Sequence, residues 1–272
     1  MIYPMSVRWF EGLPELPRSL AQVGYGLRFL WQAVWVGLLD ADTLNGITWS
    51  HCMRDSAFEA EDFNIRRGVW PWEAAAVQGH FGGHGRVLVA GAGGGREVVA
   101  FARLGYDVTA FDFSPYLTAA CRRNLEKVGY AARVFDAPPD GLPNTLDHHD
   151  ALLIGRGFCH HIPGRSRRVA FLRACRGCPD ACDPIIHSDF FIRETNSRFY
   201  VSTWRIANGI RASGRQSERL QPGDWLSNCM QHAFTRGEIL QELDDAQIGL
   251  ETYAISPFSE ASHLAYAIGH AI

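Results

Sequence analysis

The stretch Val87–Pro115, VLVAGAGGGREVVAFARLGYDVTAFDFSP, decides the fold of this chain. Arg86–Ala90 is a short apolar run that stops at glycines, the signature of a strand buried on both faces. Arg96–Leu104 sets Val98, Val99, Phe101 and Leu104 at helical spacing and is stopped by Gly105. Asp107–Asp112 reads as a second strand. Ser114-Pro115 then pairs an N-cap with a proline in the first turn of a helix running to about Val128. Strand, glycine turn, helix and strand make one βαβ unit, whose crossover sets the two strands parallel.

Working outward, the alternation continues. Ala131–Phe135 and Asp150–Ile154 read as strands, Arg165–Cys175 as a helix and Pro184–Phe191 as a fifth strand. Residues 192–232 break the rhythm as a polar and aromatic insertion. Thr235–Ala246 is again an amphipathic helix. Gly249–Ser256 and His263–Ile268 are two final strands, too close for a helical crossover and therefore an antiparallel pair. Toward the N-terminus, Leu16, Leu20, Val23, Leu27, Leu30 and Val34 recur at helical spacing, and Pro71 opens a helix to about His80. The expected fold is α/β: a Rossmann-like, seven-stranded, mostly parallel sheet with helices on both faces. A helical cap over residues 1–80 precedes a domain over 81–272 that carries the 192–232 insertion.

Composition narrows the function. The 272 residues are 47% hydrophobic and 20% charged, enough apolar content for a large core without staples. A net charge of -3 and a pI of about 6.4 lack the positive field of a general nucleic-acid binder. Lys127 is the sole lysine, so arginine carries nearly all positive charge and its clusters carry little functional weight. Arg165, Arg167 and Arg168 read as a solvated helix start, and Arg211, Arg215 and Arg219 as a solvated helix face. Seven irregularly spaced cysteines fit a reduced, cytoplasmic protein. The most apolar stretch, Tyr25–Leu39, contains Arg28 and Gln32 and is too short to span a membrane. Cys175, Cys178 and Cys182 read as ordinary thiols, and no metal site is expected.

In an open α/β sheet the ligand sits beyond the carboxyl ends of the strands, so the turn Gly91-Ala92-Gly93-Gly94-Gly95 is the first place to look. A nicotinamide fingerprint needs a third small residue where this chain has Arg96. The G-x-G-x-G pattern of Gly91, Gly93 and Gly95 instead resembles motif I of class I S-adenosylmethionine-dependent methyltransferases, particularly their thiopurine and halide methyltransferase-like branch. The resemblance covers roughly residues 86–191. It implies S-adenosylmethionine as cofactor, held by Gly91, Ala92, Gly93 and Gly95. Asp112, 21 residues beyond Gly91, stands where a carboxylate accepts both ribose hydroxyls. Asp136 stands where the family places an acid against the adenine amino group. Phe113, Ala137 and Gly155, on the same strand ends, complete the expected cofactor set. The family usually has an acid two residues before the first glycine. Here that position is Val89, and Glu97 is an acid close by on the helix start.

A methyl on a sulfonium is already activated, so the protein mainly positions the nucleophile and, for a hydroxyl or protonated amine, supplies a base. The segment after the fourth strand, Gly155–Pro163, contains His160 and His161, the first candidates for that base. His187, Asp189 and His232 are secondary candidates. The Asn/Asp-Pro-Pro-Tyr/Phe motif of many base and glutamine methylases is absent there. With the tryptophan-rich cap as a lid, this points to a small organic acceptor, aromatic ones included, methylated on oxygen or nitrogen. No nucleic acid or membrane is expected as partner, and the N-terminal helices could form a homodimer contact. Two further readings stay open: a non-catalytic protein that binds S-adenosylmethionine, and a nicotinamide-dependent enzyme.

Overall fold

A computed structural model describes residues 27, 30–52, 62–83, 85–178, 184–192, 198–214, 219–226, 229–255 and 264–272. Among the described residues, nine strands fall in chain order: β1 (Arg86–Ala90), β2 (Asp107–Asp112), β3 (Arg133–Asp136), β4 (Ala151–Ile154), β5 (Pro184–Phe191), β6 (Asp224–Leu226), β7 (Met230–His232), β8 (Ile248–Ile255) and β9 (Leu264–Ala271). The helices with resolved bounds are α1 (Ala41–Cys52), α2 (Pro71–His80), α3 (Arg96–Arg103), α4 (Pro115–Val128), α5 (Arg165–Arg176), α6 (Arg198–Ser213) and α7 (Arg236–Asp245). Residues 30–38 are also helical.

Seven strands form one sheet in the order β3-β2-β1-β4-β5-β9-β8. Four parallel pairings join β3 through β5, and β9 enters antiparallel between β5 and β8. The seven-stranded, mostly parallel expectation therefore holds. The order reverses between β1 and β4, which opens a crevice at their carboxyl ends. Pleating sends alternate residues to opposite faces. Leu88, Ala90, Leu152 and Ile154 enter one core with Phe171, Leu172, Ile239 and Leu243 of α5 and α7. Val87, Val89, Val108 and Leu153 enter the other with Val98, Phe101 and Leu125 of α3 and α4.

Ser114 caps α4 by accepting from the Leu117 amide, and Thr235 and Glu238 form a reciprocal capping box on α7, as their sequence patterns require. The insertion holds more order than its composition suggests. It contains α6 and the two-stranded hairpin β6–β7, whose register sets Asp224 opposite His232. A third core joins Ala33, Val36 and Leu44 from the N-terminal region to Ala207, Leu226 and Met230 from the insertion. Residues 62–81 pack elsewhere: Val77 and Phe81 join the α3 core, with Phe81 stacked on Phe101.

Two expectations about arginine need correction. Arg168 is fully buried, with its guanidinium on Glu242 of α7. Arg211 is also buried and donates to the carbonyls of Val36 and Leu39, where a helix end presents free acceptors. The N-terminal residues and α7 supply these partners from far along the chain, so spacing within each helix could not show them. Arg219 is exposed, and Arg215 lies outside the described residues.

Candidate active site

The site begins with the turn out of β1. Gly91, Gly93 and Gly95 all have left-handed backbone, with φ of 80, 51 and 101°. A side chain would be strained at each of these positions, which is why the pattern is G-x-G-x-G. At Gly91 an added Cβ would lie 2.6 Å from the ring of Phe158, and at Gly155 it would lie 2.7 Å from the Gly91 carbonyl oxygen. Both glycines therefore let backbone and ring close in on the turn. At Gly93 an added Cβ would meet nothing within 4 Å, so the turn faces open space there.

Asp112, at the carboxyl end of β2, reaches back to this turn. One carboxylate oxygen accepts from the Gly93 amide and the other from the Ser114 amide, each at 2.9 Å. Burial pushes its pKa up to about 6, against the pull of the Gly93, Ser114 and Phe113 amides, and the nearby Asp136 adds to the rise. Because this folded value lies above the ordinary 3.8, the ionised carboxyl works against folding. Stability from this group falls as pH rises from about 4 to about 6.

Asp136 ends β3 directly beside Asp112 in register, accepts from the Thr118 hydroxyl at 2.5 Å and is half-exposed. Phe113 is partly buried with its ring 6.0 Å from that of Phe158. The Ala137 amide donates to the Asp112 carbonyl, and the Gly155 amide to the Ala90 carbonyl, which extends both parallel pairings past the strand ends. Ala92 is buried under the turn. The structure thus gathers the whole predicted cofactor set at the carboxyl ends of β1, β2, β3 and β4.

Cys159–His161 form a short helical turn after β4, with His160 buried and the two imidazole rings 4.4 Å apart. His161 Nδ1–H donates to the Met230 carbonyl of β7 at 2.8 Å, which leaves its Nε2 as the acceptor nitrogen. Burial pushes the His161 pKa down to about 4, so this ring is neutral at physiological pH. The Met230 amide in turn donates to the Thr48 hydroxyl oxygen of α1 at 3.0 Å. The turn after β4 is therefore roofed by the insertion and the N-terminal helices together. His187 and Asp189 fall on β5, but their side chains lie outside the described residues.

Three features escaped the sequence reading. Phe158 wedges between the glycine turn and Phe113, with ring contacts to Phe111 and Phe171 as well. Arg96, in the first turn of α3, is buried between Glu73 of α2 and Glu97, with a bidentate pair to Glu73 at 2.7 and 2.8 Å. Glu97 is therefore committed to Arg96 rather than standing in for the missing acid, while Val89 is a core residue. Finally, His232 Nδ1 lies 2.6 Å from an Asp224 oxygen, with both residues buried. The Trp-Pro-Trp-Glu run at Trp70 gave a signal for the first turn of α2, but not for its partner on α3.

Among the described residues, no group of three or more His, Cys, Asp or Glu is placed to hold a metal ion, and no helix is long and apolar enough to cross a membrane. Cys175 and Cys178 are buried thiols whose pKa values burial raises, that of Cys178 to about 11. Cys182 lies outside the described residues.

The profile of a family described as "Methyltransferase domain" matches residues 87–178, from β1 through the end of α5. No curated protein matches the chain. A solved S-adenosylmethionine-dependent methyltransferase from Methanosarcina mazei superposes with a TM-score of 0.61 at 14% identity, over 75% of this chain and 99% of that one. The 1,6-didemethyltoxoflavin-N1-methyltransferase of Burkholderia thailandensis, solved with 1,6-didemethyltoxoflavin and S-adenosylhomocysteine bound, gives 0.59 at 18% identity, over 86% and 91%. A methyltransferase from Clostridium acetobutylicum gives 0.54 at 10%, over 77% and 95%. At these identities the likeness is one of fold.

Proposed function

We propose that this chain, whose residues 87–178 match a methyltransferase domain, is a class I S-adenosylmethionine-dependent methyltransferase that transfers the methyl group to oxygen or nitrogen of a small organic acceptor. The observation that carries this reading is the meeting of three left-handed glycines with Asp112 at the sheet's switch point. The open space over Gly93 gives the amino-acid end of the cofactor a backbone cradle, and Asp112 stands ready for the ribose hydroxyls. Phe113, Asp136 and Ala137 border the adenine in this reading, and Gly155 lets the turns after β1 and β4 approach each other. When bound, the cofactor supplies an activated methyl. The chain's own residues orient the acceptor against it, exclude water and take up a proton.

Two features support a small acceptor. The roof over the turn after β4 is built from apolar and aromatic residues of the third core, with Trp35 and Trp204 against it, rather than from a basic groove. The Burkholderia enzyme of similar fold, an N1-methyltransferase, holds 1,6-didemethyltoxoflavin together with S-adenosylhomocysteine. His160 and His161 stand on the acceptor side. His161, neutral and oriented by Met230, accepts a hydrogen bond from the acceptor through Nε2.

Titration calorimetry with S-adenosylhomocysteine, followed by a screen of phenols and aromatic amines with methyl-labelled S-adenosylmethionine, tests the reading. The chain should bind the homocysteine product, and Asp112→Ala should weaken that binding by on the order of 2 kcal/mol, roughly 30-fold. Equal affinity in a folded Asp112→Ala protein would remove the ribose assignment. Affinity should also depend on pH. Ribose hydroxyls donate best to the ionised carboxylate. Binding should then be level above about pH 6 and weaken by up to about tenfold per unit below it. A flat profile from pH 4.5 to 8 would show that Asp112 does not face the ligand.

A further inference from the structure

Residues 230–234 run across the carboxyl edge of the sheet, just where an α/β fold receives its ligand. At one end, the Met230 carbonyl holds His161 in the turn after β4. At the other, Phe234 forms a parallel bridge with Ile192, directly after β5, and its ring stands 5.0 Å from that of Phe190. His232 lies midway between these anchors, its ring edge-on to Phe234 at 4.5 Å.

The hydrogen bonding of His232 is lopsided. Nδ1 meets Asp224 across the β6–β7 hairpin at 2.6 Å. Nε2 is buried and, among the described residues, has no hydrogen-bond partner. Leaving a buried polar atom unpaired is costly, so a residue kept for packing alone would seldom be an imidazole in this state. Asp224 is well supplied by contrast: its other oxygen accepts from the Gln221 amide at 2.7 Å. A carboxylate on Nδ1–H fixes the imidazole in the tautomer whose Nε2 carries a lone pair, and stabilises the imidazolium that forms when Nε2 gains a proton. His161 has a backbone carbonyl in that place, which orients the ring but does not stabilise a charge.

Resting on the methyl-transfer reading above, the geometry points to His232 as the base that deprotonates the acceptor, with Asp224 as its positioning residue. The acceptor's oxygen or nitrogen forms a bond to the methyl carbon while the carbon–sulfur bond breaks and leaves its electron pair on sulfur. The proton of the nucleophile passes to Nε2, giving an imidazolium opposite the Asp224 carboxylate, and returns to water after product release. The acceptor class is accordingly one with a removable proton, a phenol or an aromatic N–H, rather than a halide or a thioether.

A crystal structure of the full chain with S-adenosylhomocysteine, together with imidazole 15N spectra of histidine-labelled protein, tests this. His232 Nε2 should face the cavity in front of the bound sulfur with no side chain between them. The spectra should show His232 as the Nδ1–H tautomer at neutral pH, a signature that Asp224→Asn loses. A bound product with His232 walled off from the sulfur, or Nε2 protonated in the resting protein, overturns the proposal and leaves the methyl-transfer reading standing. Failure to bind S-adenosylhomocysteine removes both. His232→Asn is the catalytic variant, because its amide can still donate to Asp224 while the basic nitrogen is gone. Turnover of an acceptor found in the screen should fall by about 100- to 10,000-fold at an unchanged melting temperature. Full turnover by that variant would overturn the assignment.

Discussion

Arg168→Ala should cost about 3–5 kcal/mol of folding stability, because it strands a buried carboxylate. The Arg168 guanidinium meets both oxygens of Glu242, at 2.7 Å from Nη2 and 3.0 Å from Nε, and Nη2 also reaches the Gln221 side chain at 2.6 Å. Arg168 and Glu242 are both almost wholly buried, between α5, α7 and the start of the hairpin. Removing the cation leaves Glu242 without its countercharge where water cannot replace it, and also weakens the field that holds Asp224 ionised. For a protein of this size the loss should appear as a fall of roughly 2–4 °C in melting temperature per kcal/mol. The double variant Arg168→Met, Glu242→Leu should recover most of it, since an apolar pair of similar volume avoids desolvating two charges. A thermal melt unchanged in Arg168→Ala would show that the pair is more hydrated than its burial indicates.

Gly91→Ala carries the second large effect, on stability and on ligand binding at once. A left-handed backbone costs a non-glycine residue about 1–2 kcal/mol, and forcing the Phe158 ring away from a Cβ placed 2.6 Å from it costs about 1–3 kcal/mol more. Phe158 is held by Phe111, Phe113 and Phe171, so it has little room to yield. The glycine turn must shift instead, and S-adenosylhomocysteine affinity should fall by at least about tenfold, or 1.4 kcal/mol. Gly93→Ala separates the two consequences. Its Cβ meets nothing within 4 Å, so stability should fall only by the left-handed backbone cost of about 1–2 kcal/mol, with no steric part, while the methyl group enters the cradle and affinity falls. Wild-type affinity in Gly93→Ala, measured by calorimetry, would mean that the cradle lies elsewhere.

Both variants touch residues that differ in how readable they were. Gly91 was legible because a strand, a turn and a helix are local, and a tight parallel crossover needs glycine at fixed offsets wherever it occurs. Asp112 was legible for the same reason, since its strand follows directly from the helix. Arg168 was not. Three arginines within four residues at a helix start look solvated in a chain with almost no lysine, yet one of them points inward to a partner 74 residues away. Arg96 was likewise read only as a mismatch to a nicotinamide fingerprint. Its burial depends on Glu73, which arrives on α2 because Val77 and Phe81 pack against Phe101. Helix α3 is buried around nearly its whole girth, although its sequence suggests an ordinary solvent face.

By itself, then, the sequence determined the parallel α/β sheet, the glycine turn at its switch point and the carboxylates on neighbouring strand ends, because period, glycine placement and capping act over a few residues. The tertiary structure alone decided which polar side chains are buried in pairs, that the N-terminal helices and the insertion share one core, and that His232 meets Asp224 across the β6–β7 hairpin. Those outcomes rest on hydrogen bonds and apolar contacts between segments far apart in the chain, and no local pattern encodes which distant partner will arrive.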